Sequence, residues 1–176
     1  AFVVAISENG NHYDFPPEVR QVIRQDHQLD YIEAAKYINY TGCDICILQH
    51  EFGIFGGDDG VYILPLLHRL NMPLIVTFHT VVKDPSYTQR SIVEEIGKKA
   101  ARILVMSMRA VEFLRDIYKI PKEKIVLIEH GVPDIDRISL KKAKQKLHLR
   151  GRRVLLTFGL LSRNKGIEIV LNALPL

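Results

Sequence analysis

Tryptophan is absent, cysteine occurs twice, and no apolar run approaches the ~18 residues that a membrane-spanning helix needs. No basic lead-in precedes the apolar opening at Ala1, so a secretory leader is not read there and a cytoplasmic setting is expected. Neither the P-loop nor the G-x-G-x-x-G pattern occurs. That disfavours a P-loop nucleotidase and a nicotinamide-dependent dehydrogenase. Acidic residues are missing from 137–153, where Arg137, Lys141, Lys142, Lys144, Lys146, Arg150, Arg152 and Arg153 crowd together. The remaining chain holds 16 basic against 20 acidic residues, so the net charge of +4 comes from that one segment. A nucleic-acid-binding surface is therefore not expected. Leu140, Ala143 and Leu147 fall at helical spacing there, which makes the lysines the wet face of an amphipathic helix. Peripheral contact of residues 137–153 with anionic lipid stays open.

The two cysteines form Cys43-Asp44-Ile45-Cys46. A redox pair belongs at a helix start, where the thiolate is stabilised, and zinc needs four ligands. Cys46 instead sits in an apolar run, so buried, reduced, structural thiols are expected and no metal or cofactor is called for.

What is present is ordinary globular composition: 176 residues, 47% apolar and 25% charged. Apolar runs recur at 2–6, 45–49, 74–78, 102–106, 125–129 and 153–158. They are rich in Val, Ile and Leu, as parallel strands covered on both faces are. From residue 45 onward their starts lie 23–29 residues apart, close to the ~30 of a strand–helix–strand unit. Between them stand helix signals. Pro17 precedes Val19, Val22 and Ile23; Ser86 precedes Ile92, Val93, Ile96 and Ala100; Ser107 precedes Val111, Leu114 and Tyr118. Residues 61–70 also read as helix, with Pro65 forcing a kink or a late start. The fold class is α/β: an open parallel Rossmann-like sheet with helices on both faces. A domain is expected over 1–135, a basic connector helix over 136–152, and the opening strand–loop–helix of a second domain over 153–176.

Ligands of open α/β sheets bind beyond the carboxyl ends of the strands. The residues there are His50-Glu51-Phe52-Gly53, His79-Thr80, Ser107, His130-Gly131 and Gly159 through Gly166. Three of the seven histidines fall at these positions, and an imidazole suits hydrogen bonding to a sugar hydroxyl. A binding cleft is expected on that rim, with a metal site disfavoured because the close ligand spacing is missing. The loop Gly53–Gly60 carries two acids and is no phosphate cradle. The stretch Gly159–Gly166, which follows an apolar run and opens a helix, carries Arg163 and Lys165 and suits a diphosphate.

Together, Gln49-His50-Glu51-Phe52-Gly53, Thr77-Phe78-His79-Thr80, Glu129-His130-Gly131-Val132-Pro133 and Phe158-Gly159-Leu160-Leu161-Ser162-Arg163-Asn164-Lys165-Gly166 resemble, in order and spacing, motifs of the retaining group 1 (family 4) glycosyltransferases. The resemblance implies a GT-B fold, incomplete here. Its first Rossmann-like domain, lacking its opening unit, holds a carbohydrate or other hydroxyl acceptor, and the second holds a nucleotide-sugar donor. It implies a hexosyltransferase-like enzyme of carbohydrate metabolism, inactive as this chain alone. His79 corresponds to the active-site histidine. His50, Glu51, Gly53, His130 and Gly131 line the acceptor and sugar side, and Gly159, Arg163 and Lys165 hold the donor diphosphate. The family's arginine after the phosphate-loop glycine is Leu160 here, and its paired glutamates have no counterpart in these residues. A non-catalytic nucleotide- or sugar-binding module of the same fold stays open as the alternative.

Overall fold

The computed structural model describes residues 1–8, 13–159, 161 and 165–174. The chain divides into two units, Ala1–Gly131 and Val132–Leu176. In the first, β1 (Val3–Ser7) pairs in parallel with β2 (Val19–Arg24). A second parallel sheet holds β3 (Cys46–His50), β4 (Leu74–Phe78), β5 (Arg102–Val105) and β6 (Ile125–Leu127), in that order. Parallel strands require crossovers, and helices supply those of the second sheet and the passage from β2 to β3. They are α1 (Gln28–Tyr40), α2 (Ile63–Leu67), α3 (Tyr87–Lys99) and α4 (Met108–Asp116). The fold is α/β, with parallel sheets flanked by helices. Among the described residues, no helix is long and apolar enough to cross a membrane.

The first unit departs from the sequence expectation at β2 and in the continuity of its sheet. The helix signal at Pro17 is misleading, for residues 19–24 form β2. Val19, Gln21 and Ile23 turn inward while Arg20, Val22 and Arg24 stay exposed, which is the two-residue period of a strand. The helix comes next, in α1, where Tyr31, Ala34, Ala35 and Ile38 are buried at helical spacing. Arg24 and Asp30 tie the two elements at 2.8 and 2.9 Å, and this hydrogen-bonded pairing holds the Asp30 carboxyl below its ordinary range. The sheet is also not continuous. Between β1 and β3 lies an apolar cavity of about 690 Å³, lined by Val3, Val4 and Ile6 on one side and Cys46, Ile47 and Leu48 on the other. Each of these strands has one ladder partner among the described residues.

The core is built on β4, whose Leu74, Val76 and Phe78 are buried, with Ile92, Val93 and Ile96 of α3 and Ile103 and Val105 of β5. Ser86 starts α3 as read. Its hydroxyl accepts from the Gln89 amide while the Gln89 side chain accepts from the Ser86 amide. That capping box is held from outside by Asp59, which accepts from Ser86 Oγ at 2.7 Å and Gln89 Nε2 at 3.1 Å. Asp59→Ala is expected to lower stability by about 1–2 kcal/mol, seen as a lower urea midpoint at unchanged slope.

The second unit carries two short helices, α5 (Leu140–Lys146), capped by Ser139, and α6 (Ile167–Ala173). Neither has a buried residue; Lys141, Lys142 and Lys146 lie in solvent, while Lys144 Nζ donates to the Arg152 carbonyl at 2.7 Å. Residues 153–158, expected as a strand, run without a ladder. A strand is made by its neighbours, and no other extended segment of this unit pairs with it among the described residues. Both cysteines are free and half-buried. Burial pushes the Cys46 thiol up to about 11, which suits a structural thiol and not a reactive one.

Candidate functional site

Parallel register brings the ends of β3 and β4 side by side, with Gln49 opposite Thr77 and His50 opposite Phe78. The ladder continues one step further, the His79 amide donating to the His50 carbonyl at 3.0 Å. From that fixed backbone the His79 ring reaches back across the strands, Nε2 meeting Gln49 Oε1 at 2.8 Å. Nδ1 of the same ring has no hydrogen-bond partner among the described residues. Next door, Thr80 Oγ1 donates to Glu51 Oε2 at 2.6 Å, and Glu51 Oε1 accepts from the Phe52 amide at 3.2 Å. Glu51 thus joins two strand-end loops through both of its carboxylate oxygens.

In front of these residues lies a cavity of about 400 Å³, lined among others by His79, Thr80, Ser107, Arg109, Phe113 and His130. It opens at the carboxyl edge of β4 and β5, where α/β sheets bind ligands. Ser107 caps α4, its Oγ accepting from the Ala110 amide at 3.2 Å. The Tyr118 hydroxyl donates to the Val82 carbonyl at 2.8 Å, pinning the loop that follows His79. Such a site presents several polar side chains over an apolar floor, as small-molecule sites do.

Of the three strand-end histidines, the structure brings His79 and His130 together on this cavity. His50 is elsewhere. Its ring is fully buried, packed against Phe52, Phe55 and Phe78 at 5.0–5.7 Å. Neither ring nitrogen finds a hydrogen-bond partner among the described residues. Burial, assisted by the nearby His79, lowers its pKa to about 4, so the ring is neutral.

Gly53 is exposed, with open space where a side chain would stand, and its carbonyl accepts from Gln25 Nε2 at 3.0 Å. The glycines after it serve packing. A Cβ on Gly56 would stand 2.0 Å from the Gln25 carbonyl oxygen. The Gly56 amide is meanwhile tied by the Tyr31 hydroxyl at 2.9 Å. Gly131 is exposed at the end of the first unit, with nothing near its missing Cβ. Gly159 and Lys165 belong to the second unit, both exposed. Arg163 lies outside the described residues. No group of three or more His, Cys, Asp or Glu among the described residues is placed to hold a metal ion.

The sequence does not single out Val81, Arg109, Ala110 and Phe113, which also line the cavity. The signal was close by. The strand-end rule stops at Ser107, but α4 begins there, and the first turn of that helix faces the same cavity.

A family model described as Glycosyltransferase Family 4 matches residues 3–135. A solved glycosyltransferase from Rickettsia africae ESF-5 is similar with a TM-score of 0.50 at 20% identity. The match covers 74% of this chain and 37% of that one, so the chain spans well under half of its solved relative. At that identity the likeness is one of fold. No curated protein matches.

Proposed function

The chain belongs to glycosyltransferase family 4, and from that premise we propose that it is part of a retaining transferase moving a sugar from a nucleotide-diphosphate sugar to a hydroxyl acceptor. The observation that carries the reading is the cavity at the ends of β4 and β5, where His79, Thr80, Ser107 and His130 converge. Hydroxyl-rich ligands need donors and acceptors at close spacing, and this rim offers imidazoles and hydroxyls on a fixed backbone. The first unit is assigned the acceptor and the transferred sugar. His79 is the residue nearest the reacting centre, with Glu51, Gly53 and Gly131 in the loops beside it. His50 supports this rim from the core.

Transfer leaves negative charge on the departing diphosphate, and cations placed there before reaction stabilise it. Gly159, Arg163 and Lys165 are assigned that task, since an ammonium or guanidinium gives charge-assisted hydrogen bonds to phosphate. No metal is assigned to the step. Lys165→Ala, in the longer polypeptide that this reading requires, is expected to weaken nucleotide-sugar use about ten- to a hundredfold. Wild-type donor kinetics in that variant would remove Lys165 from the diphosphate site.

The reading as a whole is tested by incubating the longer polypeptide with a panel of nucleotide-diphosphate sugars and hydroxyl acceptors. Product anomers are then followed by proton NMR. Transfer with the donor's anomeric configuration kept is the expected result. Inversion sinks the retaining assignment. Tight binding of a nucleotide sugar with no transfer to any acceptor favours a binding module of the same fold. The 176-residue chain alone is expected to transfer nothing, and micromolar donor affinity in it would contradict the division of labour between the units.

A further inference from the structure

The cavity before β4 and β5 carries one full charge on its lining, and that charge is positive. It belongs to Arg109, while the other lining residues are apolar, hydroxylic or histidine. Two acids contact the cavity's lining residues without belonging to the lining. Glu51 is engaged by Thr80 and the Phe52 amide, and Glu112 reaches the Arg109 guanidinium at 4.0 Å, beyond hydrogen-bond range. Several other arginines of this unit have partners for the guanidinium. Arg24 grips Asp30 with two hydrogen bonds, Arg115 grips Asp116 with two, and Arg90 donates to the Ile117 carbonyl.

Arg109 makes no hydrogen bond among the described residues. Its guanidinium instead lies over the Phe113 ring, 5.5 Å from the centroid. A guanidinium has five N–H donors in a planar fork suited to two oxygens of a carboxylate or phosphate. Here the plane is supported from one side, the donors are unspent, and they border a cavity within the size range of small-molecule sites.

We propose that Arg109 receives an anionic group, a phosphate or a carboxylate, borne by the acceptor. This rests on the reading that the first unit holds the acceptor. The guanidinium anchors the anion at one end of the cavity and so sets which hydroxyl of the acceptor faces His79 and Thr80. A neutral acceptor would forgo the charge-assisted contact, so Arg109 selects among acceptors.

Titrations of glucose 6-phosphate, glucose and UDP into the 176-residue chain, followed by NMR of the His79, His130 and Ser107–Ala110 signals, test this. Glucose 6-phosphate is expected to bind about tenfold or more tightly than glucose, since a charge-assisted pair is worth at least that factor. Arg109→Gln is expected to erase the advantage, and Arg109→Lys to keep part of it. Its exposed position predicts melting temperatures unchanged in both. Equal affinity for the sugar and its phosphate, no detectable binding of the phosphate, or an advantage that survives Arg109→Gln would each overturn the proposal. UDP moving the same signals with the same dependence on Arg109 would reassign the anchor to the donor and overturn the acceptor assignment. Arg109-dependent binding of glucose 6-phosphate, without sugar transfer by the longer polypeptide, leaves the anion site standing and fails the transferase reading alone.

Discussion

His79→Ala is expected to lower turnover of the complete transferase about 10²–10⁴-fold, the range lost when a positioned proton-exchanging partner is removed. The ring stands on the carboxyl edge of β4, with its amide locked to the His50 carbonyl and Nε2 on Gln49. That arrangement also allows a purely structural role, in which the ring is a brace between β3 and β4. Two variants separate the roles. If the brace is all that matters, Gln49→Ala breaks the same hydrogen bond, and both variants lose about 1 kcal/mol of stability with turnover falling in step. If His79 meets substrate through Nδ1, its removal costs turnover far beyond the stability change, while Gln49→Ala costs far less. Equal, modest losses in the two variants would retire His79 from the chemistry.

Acid should weaken the fold through His50. In the native chain this ring takes a proton only near pH 4, whereas the ordinary value is 6.5. Between those values the unfolded chain binds more protons than the native one, so stability is full above about pH 6.5 and is lost as pH falls toward 4. The shift corresponds to about 3 kcal/mol, a large part of the stability of a small domain. His50→Leu, similar in bulk and free of orphaned nitrogens, is expected to gain about 1–2 kcal/mol at neutral pH and to lose this part of the acid sensitivity. Urea unfolding of both proteins from pH 7 to 4.5 gives the comparison. An unchanged pH slope in His50→Leu would place the acid sensitivity elsewhere.

Much of the first unit was legible because apolar strands advertise themselves. Leu74–Phe78 was read to the residue, and β1, β3, β5 and β6 to within one or two. The Ser86 and Ser107 caps were equally plain, since each serine stands within two turns of the first apolar residue of a helical pattern. β2 was missed because a proline before Val19, Val22 and Ile23 fits a helix start as well as a turn into a strand. The alternation of exposed arginines decided the matter. For the site, the rim was legible and its membership was not. Neighbours on a strand face opposite ways, so Gln49 emerges where His79 can meet it while His50 turns into the aromatic core. Nothing in the string of letters fixes that parity. Arg109 escapes the strand-end rule for a different reason, because its place depends on the first turn of α4.

The interruption between β1 and β3 bears on how copies of this chain behave together. Each of these strands offers, on its inner side, backbone donors and acceptors with no ladder partner among the described residues, and Ile47 stands there 61% exposed. An unpaired strand edge is a template for any extended peptide that reaches it. Encounters between such edges rise with the square of concentration, so crowding and storage at high protein load favour strand-to-strand growth over the single folded molecule. Dilution, or a lysine at position 47, works against it.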